Sequence, residues 1–248
     1  MLGQAPAIDK RGAILSVRRH SAITRVTHWI NALCLVLLFM SGLQIFNAHP
    51  ALYWGNISTF DQPFASIGEF ESWATIPSYQ DLADGRRWHF FFAWLLVING
   101  TLYLLGSILS RHLARDLIPT RAEIRHIGQS IREHIRLRFP KGEEAKRYNV
   151  IQQLSYLAVI FGLLPLVILT GLCMSPQLNA DFPWLPALFG GRQSARTLHF
   201  FAAWGLFAFC AVHVFMVLIS GFWNNMRSMI TGRYAIETGE SHAGRTKA

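Results

Sequence analysis

The chain has 248 residues, 52% of them hydrophobic, with eight Trp and a formal net charge of +9. That length suits one or two soluble domains, but the distribution of charge argues against a soluble chain. Basic residues flank long apolar runs instead of forming one reading surface, which argues against a nucleic-acid partner.

In chain order, four segments carry no Asp, Glu, Lys or Arg: 26–47, 88–110, 151–173 and 197–222. Each is long enough as a helix to cross a hydrocarbon core of about 30 Å. The first apolar run is full length for a span and lacks a small-residue cleavage site, so it is expected to be retained. The 47–87 connection holds Trp54, Phe60, Phe64, Phe70, Trp73 and Tyr79, with five acidic residues against two basic. It reads either as an interfacial aromatic anchor or as a docking surface. In the 111–150 connection, Thr120 and Glu123 form a capping-box pattern, and Ile124, Ile127, Ile131 and Ile135 recur at helical spacing. This predicts an amphipathic helix over 121–138 lying on the membrane surface, ended by Pro140-Lys141-Gly142. Nineteen of the 23 Lys and Arg residues fall on the side of the termini and the 111–147 connection. The positive-inside rule makes that side cytoplasmic. The expected architecture is an all-α integral membrane protein. It is a four-helix transmembrane bundle with a cytoplasmic amphipathic helix and both termini cytoplasmic. A single domain over 1–234 is followed by a flexible tail over 235–248.

The chain also shows a two-helix repeat. Trp88-His89-Phe90-Phe91-Phe92-Ala93-Trp94 opens the second span and Leu198-His199-Phe200-Phe201-Ala202-Ala203-Trp204 the fourth. Met40-Ser41-Gly42-Leu43 and Leu169-Thr170-Gly171-Leu172 recur in the first and third. Gly42 and Gly171 either let a porphyrin approach the backbone or let helices pack.

His199 and His213 stand fourteen residues apart on one apolar helix. Fourteen steps of 100° return both rings to one face, about 21 Å apart along the axis. Ionisable groups inside a membrane span are costly and point to function. The topology sorts four span histidines by depth, pairing His28 with His213 and His89 with His199. Two facing imidazoles at one depth suit a six-coordinate haem iron, and helix bundles build cofactor sites this way. The expectation is two stacked b haems with these four histidines as metal ligands. Arg86, Arg87 and Arg196 at the outer level, and Arg25 at the inner, are either propionate partners or span-flanking charges. His49, His112, His126, His134 and His242 read as surface residues. Cys34, Cys173 and Cys210 read as small core residues, since no Cys-x-x-Cys-His motif marks an attached c-type haem.

The run Arg25-Val-Thr-His28-Trp29-Ile-Asn31, the two His-Phe-Phe helix starts and the His199/His213 spacing resemble the membrane cytochrome b subunits of bacterial respiratory oxidoreductases. That group includes the cytochrome b subunits of nickel–iron hydrogenase, formate dehydrogenase and thiosulfate reductase, and the likeness is greatest to the thiosulfate reductase cytochrome b-like branch. It covers about His20 to Tyr234. The resemblance implies that the first and fourth helices hold the cytoplasmic-side haem and the second and fourth the periplasmic-side haem. It also implies a quinone site at the start of the third helix, on Asn149 and Gln152. Relatives often show Asn-x-x-Gln-Lys there, whereas Gln153 stands in place of the lysine. The implied function is an electron-transfer subunit working between the quinone pool and a periplasmic, molybdenum-cofactor oxidoreductase, with membrane lipid as its surroundings. The alternatives are a self-contained quinone-linked reductase of a small periplasmic oxidant and a histidine-based proton transporter.

Overall fold

The computed structural model describes residues 14–111, 113–135 and 149–237. Strand β1 (Ile14–Arg18) leads into helix α1 (Ala22–Asn47), whose first turn is capped by the Ser21 hydroxyl. An outer connection follows, with the short strands β2 (Ala51–Leu52) and β3 (Ala65–Ser66) paired antiparallel. Helix α2 (Leu82–Leu109) starts at an Asp81 cap. A π-helical turn at Leu113–Leu117 precedes α3 (Arg121–Arg125) and α4 (Ile127–Ile135). The third span is α5 (Val150–Ala158), a π-helical turn at Val159–Leu163, and α6 (Leu164–Cys173). Short helices α7 (Pro176–Asp181) and α8 (Trp184–Leu188) lead to α9 (Arg192–Ile219). Helix α10 (Phe222–Thr231) and strand β4 (Arg233–Glu237) follow.

Among the described residues, four helical stretches are long and apolar enough to cross a membrane: Ala22–Asn47, Leu82–Leu109, Val150–Cys173 and Arg192–Ile219. Their apolar residues face outward more than inward. Phe91, Trp94 and Leu109 are all more than 60% exposed. In water such surface would be unstable, whereas lipid solvates it and the helix satisfies its own backbone.

Helix α1 packs along α2, and α6 along α9. The repeat read in the sequence is thus a repeat of helix pairs. Cys34, Phe92 and Leu96 fill the first pair's core, and Leu164 of the third span packs against them. Cys173, Leu185 and Ala195 fill the second core at the outer end. Cys34 and Cys173 are buried and unbridged, as expected of small core residues.

Several expectations change in detail. The third span is interrupted near Pro165, because proline cannot donate to the helix ladder and its ring crowds the preceding turn. The predicted helix over 121–138 is two pieces meeting at His126, with the Thr120–Glu123 capping box formed. Residues 136–138 and Pro140-Lys141-Gly142 lie outside the described residues. The fourth span ends at Ile219, and Gly221, at φ 111°, turns the chain into α10. Of the tail expected over 235–248, residues 235–237 belong to strand β4, and 238–248 lie outside the described residues. Here β4 pairs antiparallel with β1, Arg233 opposite Arg18 and Glu237 opposite Ile14, joining the stretch before α1 to the stretch after α10.

Candidate haem centres

The two depth-matched histidine pairs come together. The rings of His28 (α1) and His213 (α9) have centroids 6.2 Å apart. Those of His89 (α2) and His199 (α9) are 6.1 Å apart. Two imidazoles sharing one metal, each through a nitrogen at about 2 Å, place their ring centres about 6 Å apart. Both pairs therefore fit a bis-histidine iron. The donor chemistry fits too, because neutral imidazole is a haem ligand. Between the two levels, Phe39 of α1 lies edge-on to Trp204 and stacked on Phe207 of α9, with centroids 5.1 and 4.7 Å apart.

Each outer histidine sits in the same kind of seat. Nδ1 of His89 lies 3.1 Å from Ser41 Oγ. Nδ1 of His199 lies 3.2 Å from Thr170 Oγ1 and 2.9 Å from the Val167 carbonyl. The Val167 carbonyl only accepts, and the Ser41 hydroxyl gives its own proton to the Leu37 carbonyl at 2.6 Å, so the proton is on Nδ1 in both rings and Nε2 keeps its lone pair for a metal. The glycine after each hydroxyl residue makes the room. A Cβ on Gly42 would come within 3.4 Å of His89 Cε1, and one on Gly171 within 3.3 Å of His199 Cε1. The two glycines thus serve a close approach of imidazole to backbone.

The inner pair is held differently. His28 lies edge-on to Trp29, and His213 stacks on Phe209 and meets Tyr156. The backbone around His28 is fixed by Asn99 of α2, which is buried. Its amide donates to the Thr27 carbonyl at 2.8 Å and to Asn31 Oδ1 at 2.7 Å. Asn99→Leu removes both interhelical bonds, so the thermal midpoint in detergent is expected to fall by the equivalent of about 1 kcal/mol. An unchanged midpoint would contradict this role.

The arginines divide by what already holds them. Arg25 Nη1 donates to the Ile230 carbonyl, while its buried Nε has no partner among the described residues. It lines a groove of about 490 Å³ with Val26, Trp29, Ile30, Met229 and Ile230. Arg196 donates to the carbonyls of Ala51 (2.6 Å) and His49, and lies over the Phe46 ring. Arg87 is exposed and paired with Asp84 at 2.9 Å. Asp84 also accepts from the Tyr79 hydroxyl, and that bond pushes the phenol's pKa up. Arg86 is exposed.

Asn149 and Gln152 form a capping box at the start of α5. Asn149 Oδ1 accepts from the Ile151 N–H, and Gln152 Oε1 from the Asn149 N–H. Gln153 is buried behind them. His49, expected at the surface, is half-buried, bonded to the Tyr53 hydroxyl at 2.9 Å and stacked on that ring. His126 is exposed. His112, His242 and the side chain of His134 lie outside the described residues.

Sequence reasoning missed the residues that tie the outer connection to α9. Thr197 Oγ1 donates to the Tyr53 carbonyl, Ser194 Oγ accepts from the Gly55 N–H, and the Gly55 carbonyl accepts from the N–H groups of Gln193 and Ser194. It also missed Asn99, and it marked Ser41 and Thr170 only as matching positions of the repeat. The signal was present, since a polar residue inside an apolar span needs a partner on a neighbouring helix.

Residues 19–232 match the family model described as prokaryotic cytochrome b561. The chain is 31% identical over 200 residues to the "Putative protein-methionine-sulfoxide reductase subunit YedZ1" of Azospira oryzae, covering 81% of this chain and 90% of that protein. It is 29% identical over 232 residues to the "Putative cytochrome YdhU" of Escherichia coli, covering 87% of this chain and 76% of that one. With two histidine pairs spaced for iron inside four membrane-length helices, the chain belongs to the prokaryotic cytochrome b561 family and is a membrane cytochrome of the haem-b class.

Proposed function

We propose that this protein is a di-haem electron conduit across the bacterial cytoplasmic membrane, linking the quinone pool to an oxidoreductase on the periplasmic side. The observation that carries the reading is the pair of facing histidine sets, 6.2 and 6.1 Å between ring centres, on helices that cross together. Bound haem b supplies one-electron redox chemistry at each level.

The chain's own residues do the rest. His28 and His213 hold the inner haem, and His89 and His199 the outer. Their separation along α9, about 21 Å between His199 and His213, spans most of the membrane core. Phe39, Trp204 and Phe207 pack together in the layer between the levels. Arg25 brings its unpartnered Nε to an inner-level propionate. At the outer level Arg87 and Arg196 have Asp84 and two loop carbonyls as partners, so any propionate contact there adds to an existing set. The oxygens of Asn149 and Gln152 are used by the cap. Their amide nitrogens are the donors offered to a quinone carbonyl at the cytoplasmic end of the third span. The charge asymmetry of the sequence supports both termini being cytoplasmic.

The partner side of the proposal rests on the relative named as a subunit of protein-methionine-sulfoxide reductase. A molybdenum-containing oxidoreductase suits the likeness noted in the sequence. The outer connection, with Trp54, Phe60 and Trp73 exposed, is the surface offered to it.

A vesicle assay tests the reading. Decylubiquinol or a short-chain menaquinol is added outside vesicles that enclose ferricyanide. Vesicles carrying the wild type are expected to consume ferricyanide faster than those carrying His89→Ala, whose outer centre is lost. Equal rates would contradict the conduit.

A further inference from the structure

The outer and inner histidine pairs differ in one respect that the chain repeats on both halves of its bundle. Ser41 and Thr170 occupy equivalent places in α1 and α6, and both are fully buried. The Ser41 hydroxyl donates to the Leu37 carbonyl at 2.6 Å, and the Thr170 hydroxyl to the Leu166 carbonyl at 2.6 Å. Each hydroxyl has one proton, and each has spent it on its own helix. What remains toward His89 Nδ1 and His199 Nδ1 is acceptance. Each ring therefore gives its Nδ1–H to a hydroxyl oxygen, and that of His199 is shared with the Val167 carbonyl. Among the described residues, no hydrogen bond reaches the ring of His28 or of His213.

We propose that Ser41 and Thr170 are positioning residues for the outer haem, each turning one histidine's Nε2 toward the iron and, by accepting from Nδ1, lowering the potential of that centre relative to a ligand set without such partners. The proposal rests on the two-haem reading above. An accepted hydrogen bond draws the Nδ1 proton away from the ring and raises its basicity at Nε2, and a stronger donor favours the oxidised iron. The duplicated hydroxyl and glycine around each ring carry this assignment, because two seats of one construction act on one metal site from opposite faces. The inner site, seated by aromatic contacts, has no equivalent.

Redox titration of the purified holoprotein, followed in the visible spectrum with haem content measured in parallel, tests this. In Ser41→Ala/Thr170→Val, one of the two redox components is expected to shift toward the reduced form by about tenfold in its equilibrium constant, about 59 mV for one electron. The other component is expected to stay in place. Ser41→Thr and Thr170→Ser, which keep the hydroxyl, are expected to titrate as the wild type. If the double variant loses one haem outright while the hydroxyl-keeping variants retain it, the positioning role is equally supported. Unchanged potentials with both haems bound, or the same shift or loss in the hydroxyl-keeping variants, would overturn the proposal. A wild type carrying fewer than two haems would instead overturn the two-haem reading on which it stands.

Discussion

His28→Ala, His213→Ala and the double variant are all expected to lose the same haem, falling from about two b haems per chain to about one. Two ligands of one iron act as a unit, so removing the second costs no further haem. By contrast, His89→Ala combined with His213→Ala removes a ligand from each pair and is expected to leave the protein nearly colourless. The ring separations make the distinction, because His213 faces His28 at 6.2 Å while His199, on the same helix, faces His89 at 6.1 Å. Pyridine haemochrome on the purified variants reads the result. Additive loss in the His28/His213 double variant would mean that the two rings do not share a metal.

Gly191→Ala is expected to be the most damaging small substitution outside the histidines. Gly191 sits at φ 113°, where an L side chain is strained, and a Cβ there would lie 2.4 Å from the Gly55 carbonyl oxygen. That carbonyl takes the N–H groups of Gln193 and Ser194 at the start of α9. The clash is with backbone, so it cannot be relieved by a rotamer change. Strain and the parted loop together are expected to cost about 3 kcal/mol or more. For a chain of this size that is roughly 6–12 °C in thermal midpoint. The outer haem should be lost before the inner one, since His199 lies two turns into the disturbed helix. Gly100→Ala serves as the control, because nothing lies within 4 Å of a Cβ at that helical position. It should leave the midpoint unchanged or raise it slightly. Equal midpoints for both variants would show that the loop is not held by α9.

The spans and the pairing of histidines were legible because both follow from helix geometry. An uncharged run has a length and a histidine on a helix has a depth, so sorting four residues by depth needs no tertiary information. The resemblance to bacterial cytochrome b subunits agrees with the family to which the chain belongs. The seats around the outer rings were only half legible. The repeat exposed Ser41-Gly42 and Thr170-Gly171 as equivalent, but their meaning depends on which helix each faces. Gly42 lies against His89 of α2, and Gly171 against His199 of α9. Arg196 shows the limit of reading charge by position. Its place beside the outer pair left a propionate contact and a span-flanking charge both open, and its guanidinium is engaged by the carbonyls of His49 and Ala51. Those carbonyls arrive from a connection whose path no periodicity encodes. Likewise the pairing of β1 with β4 joins residues more than two hundred positions apart, and five-residue strands carry little signal of their partner.

The central claim is that one chain holds two haem irons between two pairs of histidines. The most direct test is the haem-to-chain ratio of the purified wild-type protein, by pyridine haemochrome against quantitative amino-acid analysis. A ratio of about two b haems per chain is the predicted result. A ratio of about one, or a colourless protein that takes up no added haem, would contradict it.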